Sequence, residues 1–78
     1  VVSNEGEVMP LSMLSLGESK EIVSISASPD LKQRLLSMGF VPGNSVTIVS
    51  MSNQGLVLEI KGTRLALNKG LAHLIQVA

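Results

Sequence analysis

The 78-residue sequence contains no cysteine, no tryptophan and no tyrosine, and its single aromatic residue is Phe40. Without thiols there is no disulfide framework, no iron–sulfur cluster, no thiolate zinc site and no cysteine nucleophile. Without Trp and Tyr the stacking platform that binds single-stranded nucleic acid is missing. Charge is scarce at 15%, and it balances, six Lys and Arg against six Asp and Glu. A neutral chain offers no basic face for phosphates, which argues against a dedicated nucleic-acid binder. No apolar run approaches the ~18–20 residues that span a membrane. The polar, acidic stretch from Val1 to Val8 does not read as a signal peptide.

What the chain does have is aliphatic bulk. Apolar residues make up 45%, so the core must be Leu, Ile, Val and Met around one aromatic ring. A chain of this length holds one domain, burying about 62% of its unfolded surface. Residues 1–9 show no period and are expected to be a loose tail, or a remnant foreign to the native chain. Residues 10–78 are expected to be the single domain.

Pro10–Leu16 reads as a short helical turn stopped by Gly17, holding Leu11 and Leu14 onto the core. Lys20–Ala27 is β-branched and apolar and predicts the first strand. Ser28-Pro29-Asp30 is a helix start: Ser28 as N-cap, Pro29 at the first helical position and Asp30 at the positive end. Leu31, Leu35 and Met38 recur on one helical face, which makes Met38 a core residue. Gly39 ends the helix in the left-handed conformation, with Phe40 folding back onto Leu35. Val41-Pro42-Gly43-Asn44 reads as a type II turn.

From Ser45 the period changes from 3.6 to 2. Ser45–Met51 is strand two, apolar on both faces, so its second face must be covered by the N-terminal turn, the helix or a partner. Ser52–Gly55 is a polar turn. Leu56–Lys61 sets Leu56, Leu58 and Ile60 against Val57, Glu59 and Lys61. A hairpin turn at Lys61-Gly62 leads into Thr63–Leu67, and Asn68 caps a single helical turn. Leu74–Val77 is a last short strand. Five short strands with tight connections suggest a mostly β fold, a small barrel with one short helix after the first strand.

The sequence offers no enzyme chemistry to build on. It has no phosphate-binding glycine loop and no nucleophile elbow. His73 is the only histidine, and the carboxylates do not lie at ligand spacing from it or from one another. No catalytic residue, cofactor or tight ferrous site is expected. Arg34 and Arg64 admit two readings, an arginine finger offered to a GTPase or surface arginines whose stems cover apolar area. The second is the more economical. Met13 and Met51, with Val57 on the outward side of its strand, are the residues most suited to an exposed partner-binding patch. The bland alternative is that the N-terminal turn simply covers Met51 and Val57. Arg64 completes the set of candidate partner-binding residues.

Arg34-Leu35-Leu36-Ser37-Met38-Gly39-Phe40-Val41-Pro42-Gly43 resembles the R-L-x-x-M-G-hydrophobic-x-P-G signature of the FeoA family, ferrous iron transport protein A. Leu14-x-x-Gly17-Glu18 before it resembles the family order too. So do Val46-x-Ile48, Gly62-x-Arg64-Leu65-Ala66-Leu67 and Ala72-x-x-Ile75-x-Val77 after it. The resemblance runs from about Met9 to Val77. It implies an SH3-like β-barrel in the cytoplasm, reaching the inner face of the membrane through a partner. That partner would be the ferrous iron transporter FeoB, with its cytoplasmic GTPase domain, and homo-oligomers stay open. The chain departs from the family pattern twice: Ser52–Gly55 replaces a longer A-P-x-G-D-P loop, and Asn68 stands where Arg is common after Leu67.

Two other roles fit such a barrel. One is the C-terminal regulatory domain of an iron-dependent repressor, and the other is a general protein-interaction barrel. The first needs a helix-turn-helix region, which this sequence does not contain, so that role requires the sequence to be a fragment of a longer protein. The second would need the aromatic groove that grips proline-rich ligands, which it also lacks.

Overall fold

The computed structural model describes residues 8–78. Its only helix of more than one turn, α1 (Pro29–Ser37), is defined by its ends. The Ser28 hydroxyl accepts the Leu31 N–H at 3.4 Å, and Pro29 sits where a missing N–H costs nothing. At the other end Gly39 takes φ +107°. The Gly39 N–H donates to Leu36 C=O and the Phe40 N–H to Leu35 C=O, each at 3.1 Å, the paired bonds of a Schellman cap. The type II turn follows as expected, with Asn44 N–H donating to Val41 C=O at 3.0 Å and Gly43 at φ +100°. The Asn44 amide nitrogen also donates to Gly39 C=O at 2.9 Å, tying turn to cap.

The helix face departs from expectation at one residue. Leu35 is buried and Leu31 packs against the core, but Met38 is 41% exposed. Met38 falls on the C-cap itself. The chain reverses at Gly39, and Phe40 rather than Met38 reaches the core.

Six antiparallel strands form one sheet in the order β1-β6-β2-β3-β4-β5. They are β1 (Met9–Pro10), β2 (Ser19–Ile25), β3 (Ser45–Met51), β4 (Gly55–Ile60), β5 (Thr63–Asn68) and β6 (Ile75–Val77). The sixth strand arises because Met9 and Pro10 pair with Val77 and Gln76. Met9, grouped with the tail from sequence, is therefore part of the sheet. Of the rest of that expected tail, Val8 is exposed and residues 1–7 lie outside the described residues. The sheet does not close: β1 and β5 are its two edges.

Between β4 and β5 the Lys61-Gly62 turn has both residues at positive φ, 51° and 78°, the geometry of a two-residue type I′ hairpin. Asn68 caps α2 (Lys69–Ala72) through its side-chain oxygen, which accepts the Leu71 N–H at 2.8 Å.

One aliphatic core gathers Leu11 and Leu14 from the N-terminal turn and Ala72 from α2. It joins them to the inward residues of β2, β3, β4, β5 and β6 around Phe40. No polar or charged residue is buried among the described residues.

Candidate functional site

The outer face of β3, β4 and β5 follows from register. Residues directly opposite in an antiparallel pair put their side chains on the same face. Val57 lies opposite Ser50 on β3 and Ala66 on β5, and Glu59 lies opposite Thr47 and Arg64. The inward residues Leu56, Leu58 and Ile60 are buried, so Val57, Glu59, Arg64 and Ala66 face outward. Thr47 continues the polar row onto β2, where its hydroxyl meets the Ser19 hydroxyl at 2.6 Å. Beside that row the surface turns apolar.

There an open groove of about 400 Å³ runs along the β3–β4 turn to the end of β5. Val57 and Ala66 line it from the outer face, Met51, which pairs opposite Leu56, joins Leu56 and Leu67 from the other face, and Ser50, Gln54 and Asn68 supply hydrogen-bonding groups. A bulge helps to shape it. The β3–β4 register shifts between Ile48 and Ser50, leaving Val49 unpaired and bending the strand.

The structure divides the sequence candidates. Met51 and Val57 line the groove together. Met13 does not: it is 68% exposed on the 3-10 turn Leu11–Met13, which packs against α2 and β6. The expected single patch of Met13, Met51 and Val57 is thus split. The alternative, the N-terminal turn lying over Val57 and Met51, does not occur either, because Leu11 and Leu14 pull that turn into the core. Arg64 is exposed on the outer face, two residues from Ala66, and does not line the groove. Arg34 is exposed on α1.

Of the ten residues lining the groove, the sequence reading singled out only Met51 and Val57, and three of the other eight show why. Gly55 looked like the end of a turn, yet it opens β4 opposite Asn68. A Cβ there would run into the Leu67 carbonyl oxygen and lie 3.0 Å from the Asn68 Cα, so the close approach of the two strands requires glycine. Ala66 was visible only as a small residue on the outward side of an alternating strand. Ser50 falls after the bulge, which reverses the alternation that would have placed it.

Among the described residues no three His, Asp or Glu side chains come together. His73 caps α2, exposed, with Nδ1 3.4 Å from the Ser12 hydroxyl.

A family model described as the FeoA domain matches residues 9–78. This chain belongs to the FeoA family. A relative from Methanocaldococcus jannaschii named as an Fe(2+) transport protein A is 32% identical over 68 residues, covering 87% of this chain and 83% of the relative. The crystal structure of an iron uptake regulatory protein (FeoA) superposes with a TM-score of 0.84 at 32% identity, over 90% of this chain and 95% of that one. FeoA of Stenotrophomonas maltophilia, solved with zinc and described as an SH3-domain protein, gives 0.80 at 30% identity, over 90% and 89%. The open sheet of this FeoA-family chain is therefore the SH3-like fold. A manganese-dependent transcriptional repressor shares that fold at 19% identity, a likeness of architecture alone. The FeoA family is a ferrous iron transport family, and among the described residues no helix is long and apolar enough to cross a membrane.

Proposed function

We propose that this FeoA-family protein is an accessory of ferrous iron uptake. It acts by binding a FeoB-type transporter on the cytoplasmic side, through the groove between the β3–β4 turn and β5. The observation that carries the reading is the groove itself. It brings the apolar side chains of Met51, Val57 and Ala66 together with the hydrogen-bonding groups of Ser50, Gln54 and Asn68. Apolar area mixed with hydrogen-bonding groups is what a protein interface uses. The absence of a cluster of metal ligands among the described residues favours a protein partner over direct handling of the ion.

Arg64, beside the groove and opposite Glu59, is positioned to steer an acidic partner surface. The repressor-domain reading stays second, since the repressor likeness is of fold only. Titration of the protein into a FeoB-type transporter in lipid nanodiscs, with and without a guanine nucleotide, tests the proposal. Saturable one-to-one binding supports it, and no binding in either nucleotide state overturns it.

A further inference from the structure

β5 ends the sheet on one side, and hydrogen-bond parity shows which backbone groups its free edge carries. The Gly55 carbonyl accepts from the Ser52 N–H on the β3 side at 2.9 Å. Along β4, then, Gly55, Val57 and Glu59 turn their backbone groups to β3, while Leu56, Leu58 and Ile60 turn theirs to β5. Their partners Leu67, Leu65 and Thr63 bond back to β4. This leaves the N–H and C=O of Arg64 and Ala66, and the N–H of Asn68, pointing outward. All three residues are exposed, and among the described residues these groups meet no other backbone partner.

The two edges of the sheet differ. β1 is two residues long and ends in Pro10, which cannot donate to another strand. β5 runs six residues in unbroken register against β4, with no proline and no bulge. Sheets ordinarily blunt such an edge, and one left regular is a template for another strand.

We propose that a second copy of this chain pairs with it, β5 against β5, antiparallel about a two-fold axis. The strand complements itself. Registers centred on Leu65 or Ala66 set Arg64 opposite Ala66 or Asn68 of the second copy; within β5 only the register centred on Arg64 opposes like charges, and the one centred on Leu65 brings Lys61 opposite Lys69 just beyond the strand ends. Either favourable register satisfies about four backbone hydrogen bonds. Ala66 is small, so the outer face offers no obstacle, and in the register centred on Ala66 the apolar row of Val57 and Ala66 continues across the axis into the second copy. Pairing two short strands buries less than the ~1,200 Å² of a standard interface. The dimer is therefore weak, with a Kd of about 0.1–1 mM.

Sedimentation velocity of the isolated protein from about 20 μM to 2 mM reads this directly, independently of any transporter. The expected result is a sedimentation coefficient that climbs with concentration in the wild type. In Ala66→Pro it should stay flat, because that variant loses an outward N–H while the β4 ladder is kept. As a second reading on the unaltered protein, amide exchange at Ala66, which is bonded in either register, should slow at least several-fold at the highest concentration, with Leu65 unchanged. A wild type that stays monomeric at 2 mM overturns the proposal. So does self-association that leaves the Ala66 amide unprotected, or that Ala66→Pro preserves in a folded state.

Discussion

Replacing Gly55 by alanine sets two effects of opposite sign against each other. Gly→Ala ordinarily stabilises by about 0.4–1 kcal/mol, because the unfolded chain loses freedom, and Gly55 is not at a positive φ that would forbid a side chain. Against this, the new methyl meets backbone rather than a yielding side chain: the Leu67 carbonyl oxygen, with the Asn68 Cα at 3.0 Å. The β4–β5 pair must part where Asn68 also caps α2 through Leu71. Overpacking of this kind costs typically about 1–3 kcal/mol, so the steric effect wins, with a net loss of about 1–2 kcal/mol. For a domain of this size that lowers Tm by about 4–16 °C. Thermal unfolding followed by circular dichroism measures it, and urea titration should show a lower midpoint at unchanged slope. A Tm equal to or above that of the wild type would refute the reasoning, because the close approach of β4 and β5 would then not be what holds glycine at this position.

Two further perturbations probe the core and the helix cap. Phe40→Ala removes the only aromatic ring from the centre of the core, where Phe40 is fully buried. The expected cost is about 3–5 kcal/mol, against the roughly 4–12 kcal/mol a domain of this length can have, so the urea midpoint should fall by at least about a quarter at unchanged slope. Gly39→Val forces a β-branched residue to φ +107° at a cost of about 1–3 kcal/mol. The new Cβ meets only Ile60 at an ordinary 3.5 Å, so backbone strain rather than crowding is the cause, and Gly39→Asn should recover part of the loss in a urea titration.

Local chemistry explains which parts of the structure the sequence discloses. The α1 ends, the type II turn and the Lys61-Gly62 hairpin were legible because each depends on a few adjacent residues: Ser28 with Pro29, Gly39 with Phe40, Pro42 with Gly43. The alternation of Leu56, Leu58 and Ile60 likewise announced its buried face. The sixth strand was not legible. Met9 and Pro10 carry no strand pattern and pair only because β6, nearly seventy residues later, offers them an edge.

Met38 misled for a related reason. Helical spacing places it on the core face, but the cap that follows redirects the chain before that face is used. The groove was half visible. Met51 and Val57 stood out as surplus apolar residues, whereas its other members depend on long-range pairing. Gly55 and Ala66 lie beside each other's strand only once β4 and β5 are in register, and Ser50 turns outward only because of the bulge. Met13 was grouped with the patch because sequence gives no distance between the N-terminal turn and β4.

The proposal that the groove binds the transporter is tested most directly by comparing two charge insertions at apolar surface sites in one assay. Val57→Asp places an unpaired carboxylate in the groove. Met38→Asp places one on the helix cap, at an exposed residue absent from the groove lining. Both variants should remain folded, Val57→Asp losing about 1 kcal/mol because aspartate suits a strand poorly. Binding of each to a FeoB-type transporter in nanodiscs is then measured against the wild type. The groove account predicts that Val57→Asp weakens binding at least tenfold, the effect of burying an unpaired charge at an interface centre, while Met38→Asp stays within about twofold. Equal affinity for wild type and folded Val57→Asp, or a larger loss in Met38→Asp, would contradict it and move the partner surface away from the groove.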